Sequence, residues 1–169
     1  PHLWHAHEMI FGYGSAALGG FLLTAVPSWT GAKSAPHRFI ALAAGLWLAG
    51  RLAVFASGAL PPALVAVLDL AFVPVLAANL LTQLIKRPKP QQMIILAILT
   101  AFWVANLMVH LEWTGLTADT AWGGLRAGLL TLGSMIMVLG GRVTPGFTRN
   151  AMVQSGREHD LPVNPMPLA

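Results

Sequence analysis

Five apolar runs, each long enough to cross a lipid bilayer, occupy most of this chain: residues 9–29, 39–57, 62–85, 93–113 and 120–141. The hydrocarbon core of a bilayer takes about 20 helical residues. No water satisfies backbone amides and carbonyls there, so runs of this length close their hydrogen bonds as helices. Only 9% of the residues are charged, against about 25% in soluble domains. The expected fold is therefore all-α, a polytopic transmembrane helical bundle of about five spans. One transmembrane domain is expected over residues 1–150, and a polar cytoplasmic linker or tail over 151–169. The chain opens on Pro1 rather than Met, and the expectation is a piece of a longer protein.

Successive spans alternate sides. The connections and tail on one side carry Lys33, Arg38, Lys86, Arg87, Lys89, Arg142, Arg149 and Arg157, whereas those near 57–62 and 114–119 carry neither Lys nor Arg. Basic loops stay cytoplasmic. In a bacterial inner membrane the N-terminus and the two uncharged connections would then face the periplasm. This distribution also accounts for the net charge of +4. Basic residues scattered over short membrane-flanking loops form no stripe for nucleic acid, so the partner is the lipid bilayer. Trp4, Trp29, Trp113 and Trp122 fall where an interfacial aromatic belt is expected.

Small residues at helical spacing (Gly12, Ala16 and Gly20; Ala41, Gly45 and Ala49; Gly124 and Gly128) read as packing positions between membrane helices. Pro74 is expected to kink the third span, and Pro27 to bend or end the first.

Ionisable residues gather at the periplasmic end. His2, His5, His7 and Glu8 lead into the first span, and His110 and Glu112 close the fourth. Arg51, Asp69 and Arg126 each fall ~9–10 Å below the same surface at 1.5 Å per residue. Charges in hydrocarbon are costly and face a bundle interior or a wet cavity. Arg51 and Asp69, at matched depth on adjacent spans, read either as a structural ion pair or as part of a substrate or proton path. Arg126 has Asp69, Glu8 or a bound anion such as a haem propionate as its candidate partner.

Helical geometry sorts the histidines. At 100° per residue His5 shares a face with Glu8, while His7 points nearly opposite, so a straight helix aims only one of the two at a given ion. Trp103, Asn106 and His110 form a polar stripe expected to face the bundle. Imidazoles from two helices are how a bundle holds haem. Copper accepts imidazole too, with Met9 or Met108 nearby. His5, His7 and His110 are thus candidate metal ligands, each set against an ordinary interfacial histidine. His37 and His159 read as solvated. The chain lacks cysteine, which excludes disulfides, thiolate metal sites and Fe–S clusters within it. No P-loop, dinucleotide fingerprint or Ser/His/Asp arrangement is present.

At these same residues the chain resembles the NnrS family. The matching blocks are "WHAHEMIFGYGSAALGGFLLTAVPSWTG" (4–31), "LWLAGRLAVF" (46–55), "LDLAFVPVLA" (68–77), "NLMVHL" (106–111) and "GLRAGLLTL…GGRVTPGFTRN" (124–150), in that order. The resemblance implies a multi-pass inner-membrane protein of the bacterial nitric-oxide response that contains haem and copper and protects against nitrosative stress. It implies a parent of about twelve spans, whose remaining helices are partners of this piece. The family's histidines map onto His5, His7 and His110, its acid onto Glu8, and its arginines onto Arg51, Arg126, Arg142 and Arg149. It does not divide haem from copper among them.

With the residue reading, this gives His5, His7 and His110 as metal ligands and Arg51 and Arg126 as cofactor-binding residues. Glu8, Asp69 and Asn106 stand behind them as supporting partners. Nitric oxide or a derived species is the implied small molecule. Two other functions fit the same residues: a transporter or proton-coupled permease using Arg51, Asp69 and Arg126, and a haem–copper membrane oxidoreductase.

Overall fold

The computed structural model describes residues 2–31, 33–86 and 90–156. Among them there is no strand, and five helical segments are long and apolar enough to cross a membrane. The first combines α1 (His2–His7), a π-helical turn (Glu8–Tyr13) and α2 (Gly14–Thr30). The second is α3 (His37–Phe55), and the third is α4 (Pro62–Leu70) followed by α5 (Phe72–Lys86). The fourth and fifth are α6 (Pro90–Trp113) and α7 (Ala121–Gln154). Arg87, Lys89, Arg157 and His159, named above for their charge, lie outside the described residues.

Local chemistry sets the helix ends. Gly31 closes α2 in the left-handed region at φ 65°, which glycine adopts without strain. Pro62 opens α4, where its missing N–H costs nothing. At the start of α7, the Ala121 amide donates to Glu112 Oε2 at 2.7 Å, so a carboxylate from the preceding span meets the positive end of the helix.

Several boundaries differ from the sequence reading. Helix begins at His2, before the apolar run, so the histidine-rich opening is itself helical. Pro27 does not end the first span, which runs on to Thr30. The fifth span continues through Pro145 to Gln154. Its 34 residues reach ~51 Å, beyond a hydrocarbon core of about 30 Å. The polar stretch after Gly141 is therefore helix that outruns the bilayer.

Two irregularities interrupt the spans. In the first, the Gly14 amide reaches back to Met9 O, the wide bond of a π turn. The third breaks at Ala71, where Pro74 has no N–H to return to the Leu70 carbonyl. That carbonyl accepts from Trp103 Nε1 instead, at 3.0 Å.

The third span packs against the first, second and fourth, and the fourth packs along the fifth. Leu22, Leu76, Leu80, Leu99, Phe102 and Val109 form the middle of the core. Gly124 lets α7 close on α6: a Cβ there would lie 2.5 Å from the Ala105 carbonyl oxygen. Gly20, Gly45 and Ala41, by contrast, face outward. In α3 it is Ala43, Gly50, Ala53 and Val54 that turn to the core.

Gly124→Ala should therefore lower the thermal unfolding midpoint of the detergent-solubilised protein. Overpacking of this kind costs about 1–3 kcal/mol. Gly20→Ala, whose Cβ meets open space, should leave the midpoint unchanged.

Candidate metal centre

Asp69, near the break in the third span, is 4% exposed and is the point on which four spans converge. Its Oδ1 pairs with Arg51 Nη2 from α3. Its Oδ2 accepts from Asn106 Nδ2 at 2.8 Å and faces His110 Nε2 at 2.8 Å, both on α6. An ionised carboxylate only accepts, so His110 presents Nε2–H to it. Asn106 turns its amide nitrogen to Asp69, which leaves Asn106 Oδ1 facing His7 Nε2 at 2.8 Å.

His7 is fully buried. Its Nε2 also lies 3.4 Å from Asp69 Oδ2, and its Nδ1 lies 3.1 Å from Glu8 Oε1. Glu8 Oε1 in turn accepts from Arg51 Nη1. Arg51 thus spends both terminal nitrogens on the two acids, while its buried Nε has no partner among the described residues. Gly12 makes room for this guanidinium, since a Cβ there would lie 2.5 Å from Nη1. The Gly12 carbonyl, at the π turn, accepts from Trp47 Nε1 at 2.9 Å.

Aromatic rings enclose the two imidazoles. Phe11 and Trp113 lie 5.3 and 4.9 Å from the His7 ring, and Trp113 lies 5.4 Å from the His110 ring. On the side of the 56–61 connection, a cavity of about 370 Å³ is lined by Trp4, Ser57, Pro62, Val65, His110 and Trp113. Of the cluster, only His110 reaches it.

One ligand atom each from His7, Asp69 and His110 lies within 4.8 Å of the others, close enough to share a metal ion. Arg51, Glu8 and Asn106 surround these three. His5 does not join them: it is exposed on α1. Arg126 is exposed on α7 and forms no ion pair with Asp69 or Glu8, because Arg51 takes both. Met9 is exposed, and Met108 packs against α7 at Gly123 and Gly124, so neither thioether faces the histidines. Trp113, expected at the lipid interface, turns inward to the two rings. Its position three residues after His110, on the same helical face, is the signal that would have found it.

With neutral imidazoles, two carboxylates face one guanidinium, which leaves one unit of negative charge in a nearly dry site. Removing one partner from a buried ion pair costs about 3–5 kcal/mol. Arg51→Gln should accordingly sharply destabilise the solubilised protein, read as loss of helical signal on heating. Adding Glu8→Gln should recover part of the loss.

No curated protein and no solved structure matches the chain. The family model for NnrS protein matches residues 1–168, essentially its whole length, and the chain belongs to the NnrS family.

Proposed function

We propose that this protein is a metal-binding component of the bacterial nitric-oxide response, with its metal held by His7, Asp69 and His110. The observation that carries the reading is the convergence of two imidazoles and a carboxylate from three spans within 4.8 Å. Imidazole with carboxylate suits copper, iron or zinc, and of these we take copper, the metal that the resemblance to this family implies. A cation also cancels the negative charge that Arg51 leaves over. Glu8 holds His7 by the ring nitrogen away from the ion, the arrangement that fixes a ligand's orientation and raises its basicity. Asn106 steadies both His7 and Asp69. The cavity at His110 and Trp113 gives a small molecule an approach. Copper bound there supplies a redox-active, Lewis-acidic centre in a site walled off from lipid.

Haem, also implied by the family, does not fit between His7 and His110. Ligation on both faces of a porphyrin needs imidazoles opposed across it. These two rings meet edge to face, 5.3 Å apart, with both ε nitrogens within 3.4 Å of one Asp69 oxygen. Arg51, a candidate for propionates, is consumed by Glu8 and Asp69.

We place the cluster toward the periplasm, since Lys33, Arg38 and Arg149 lie toward the opposite end. A permease is the second reading, favoured by the break in the third span two residues from Asp69. A haem–copper oxidoreductase would need a second centre. Among the described residues, His7, Asp69 and His110 are the one group of three or more His, Asp or Glu whose ligand atoms converge closely enough to hold an ion.

Metal analysis of the purified full-length protein tests this. Wild type should carry copper, and His7→Ala and His110→Ala should lose it. Glu8→Gln should weaken binding by about 10- to 100-fold. His5→Ala should retain the metal, and loss in His5→Ala with retention in the other two would overturn the assignment. Because ligand nitrogens must be free of protons, affinity should also fall as pH falls.

A further inference from the structure

His110 enters the metal cluster with one ring nitrogen only. Its Nε2 faces Asp69, whereas Nδ1 has no hydrogen-bond partner among the described residues and is not one of the sealed polar atoms. The residue is 2% exposed, and the space that it borders is the 370 Å³ cavity beside the 56–61 connection. Nδ1 is therefore a polar atom on a buried side chain that opens on this cavity. It lies three residues, ~5 Å, inside the end of α6.

The walls of the cavity are held in place. Trp4 spends its indole N–H on the Val54 carbonyl at 3.4 Å, and Trp113 stands edge-on to His110 at 88°. Leu3, Pro62 and Val65 complete an apolar lining, to which Ser57 adds a hydroxyl. Apolar pockets of about 300–1,000 Å³ with a few placed polar groups bury organic molecules, and a diatomic would leave most of this one empty. Indole faces stack on planar rings. An anion would meet the surplus negative charge of Glu8, Asp69 and Arg51. A cation would find no carboxylate, because of the cluster only His110 reaches the cavity. The matching ligand is thus neutral and flat.

Its polar group follows from the tautomer of His110. With Nε2–H given to Asp69, Nδ1 accepts a hydrogen bond from a hydroxyl. With a metal on Nε2, the ring proton sits on Nδ1, which then donates to a carbonyl. We propose that the cavity binds a neutral planar ring bearing a hydroxyl or carbonyl oxygen, the chemistry shared by a membrane quinone and a soluble phenol. The oxygen meets His110 Nδ1, and the ring lies against Trp4 and Trp113. The inference holds whether or not the cluster carries a metal.

Calorimetric titration of the full-length protein in nanodiscs with tetramethyl-1,4-benzoquinone, against empty nanodiscs, tests this. Copper-loaded and copper-free protein are titrated side by side, so that failure of the cavity and failure of the metal assignment are read separately. Saturable binding is expected in both. Trp4→Ala should weaken it about tenfold and keep its copper, and His110→Phe should weaken it about fivefold or more. Trp122→Ala, outside the cavity, should leave it unchanged. In the infrared, a carbonyl stretch of the bound quinone should fall in copper-loaded wild type and not in His110→Phe. Tighter binding of a decyl-tailed quinone would identify a ligand drawn from the membrane, and tighter binding of phenol a soluble one. Absence of saturable binding in wild type, an affinity indifferent to both Trp4→Ala and His110→Phe, or equal affinity for benzoate would each overturn the proposal.

Discussion

The buried carboxylate of Asp69 ties the bundle together. It draws Arg51 from the second span and Asn106 and His110 from the fourth, and through Asn106 and Arg51 it reaches His7 and Glu8 of the first. Apolar side chains gain little by leaving lipid for one another, so burial alone does not select which membrane helices pair. A polar hub with directional hydrogen bonds does. It specifies the register of four spans at one end of the bundle, and the apolar core of Leu76, Leu80, Leu99 and Phe102 then packs below it. The hub is also the least forgiving part of the structure, because any member left unpartnered is a polar group in a medium that cannot solvate it.

Both irregularities in the helices lie beside this hub. The π turn at Glu8–Tyr13 follows directly on His7, and the break at Ala71 follows Asp69 by two residues. Each places a backbone carbonyl, Gly12 O or Leu70 O, within reach of an indole N–H, and Trp47 and Trp103 occupy those positions. A π turn shifts the helical phase of everything before it relative to everything after. The shift separates the orientation of His7 from that of the lipid-facing pattern downstream. The two tryptophans thus support bends beside His7 and Asp69, both of which turn inward.

This explains which parts of the site were legible in the sequence. The five spans were, because bilayer thickness imposes run length. Arg51 and Asp69 were legible as a pair from matched depth, and Asn106 and His110 as one stripe from regular helix periodicity in α6. The choice of His7 over His5 was not, since it depends on helical phase next to a π turn that leaves no mark in hydropathy. Nor was the partner of Glu8: Gly12, which admits the Arg51 side chain, reads as any other small residue of a membrane helix. The length of α7 past Gly141 was missed for a different reason. Outside the hydrocarbon a helix needs no apolar run, and hydropathy stops reporting it.

Charge balance bears on what the hub is for. His7 faces an acceptor at each ring nitrogen, Glu8 Oε1 on one side and Asn106 Oδ1 on the other. A neutral imidazole offers only one N–H. Satisfying both contacts takes one more proton, on His7 or on Glu8, and that proton also cancels the surplus negative charge of Glu8, Asp69 and Arg51. A metal cation at the meeting point of His7 Nε2, His110 Nε2 and Asp69 Oδ2 meets the same electrostatic need. The Coulombic requirement for one positive charge is therefore fixed by the fold, and the identity of the carrier is not. His110 Nε2 bonds Asp69 Oδ2 at 2.8 Å, and His7 Nε2, bonded to Asn106 Oδ1, lies 3.4 Å from the same oxygen. A proton and a cation would therefore answer the same charge at the same place.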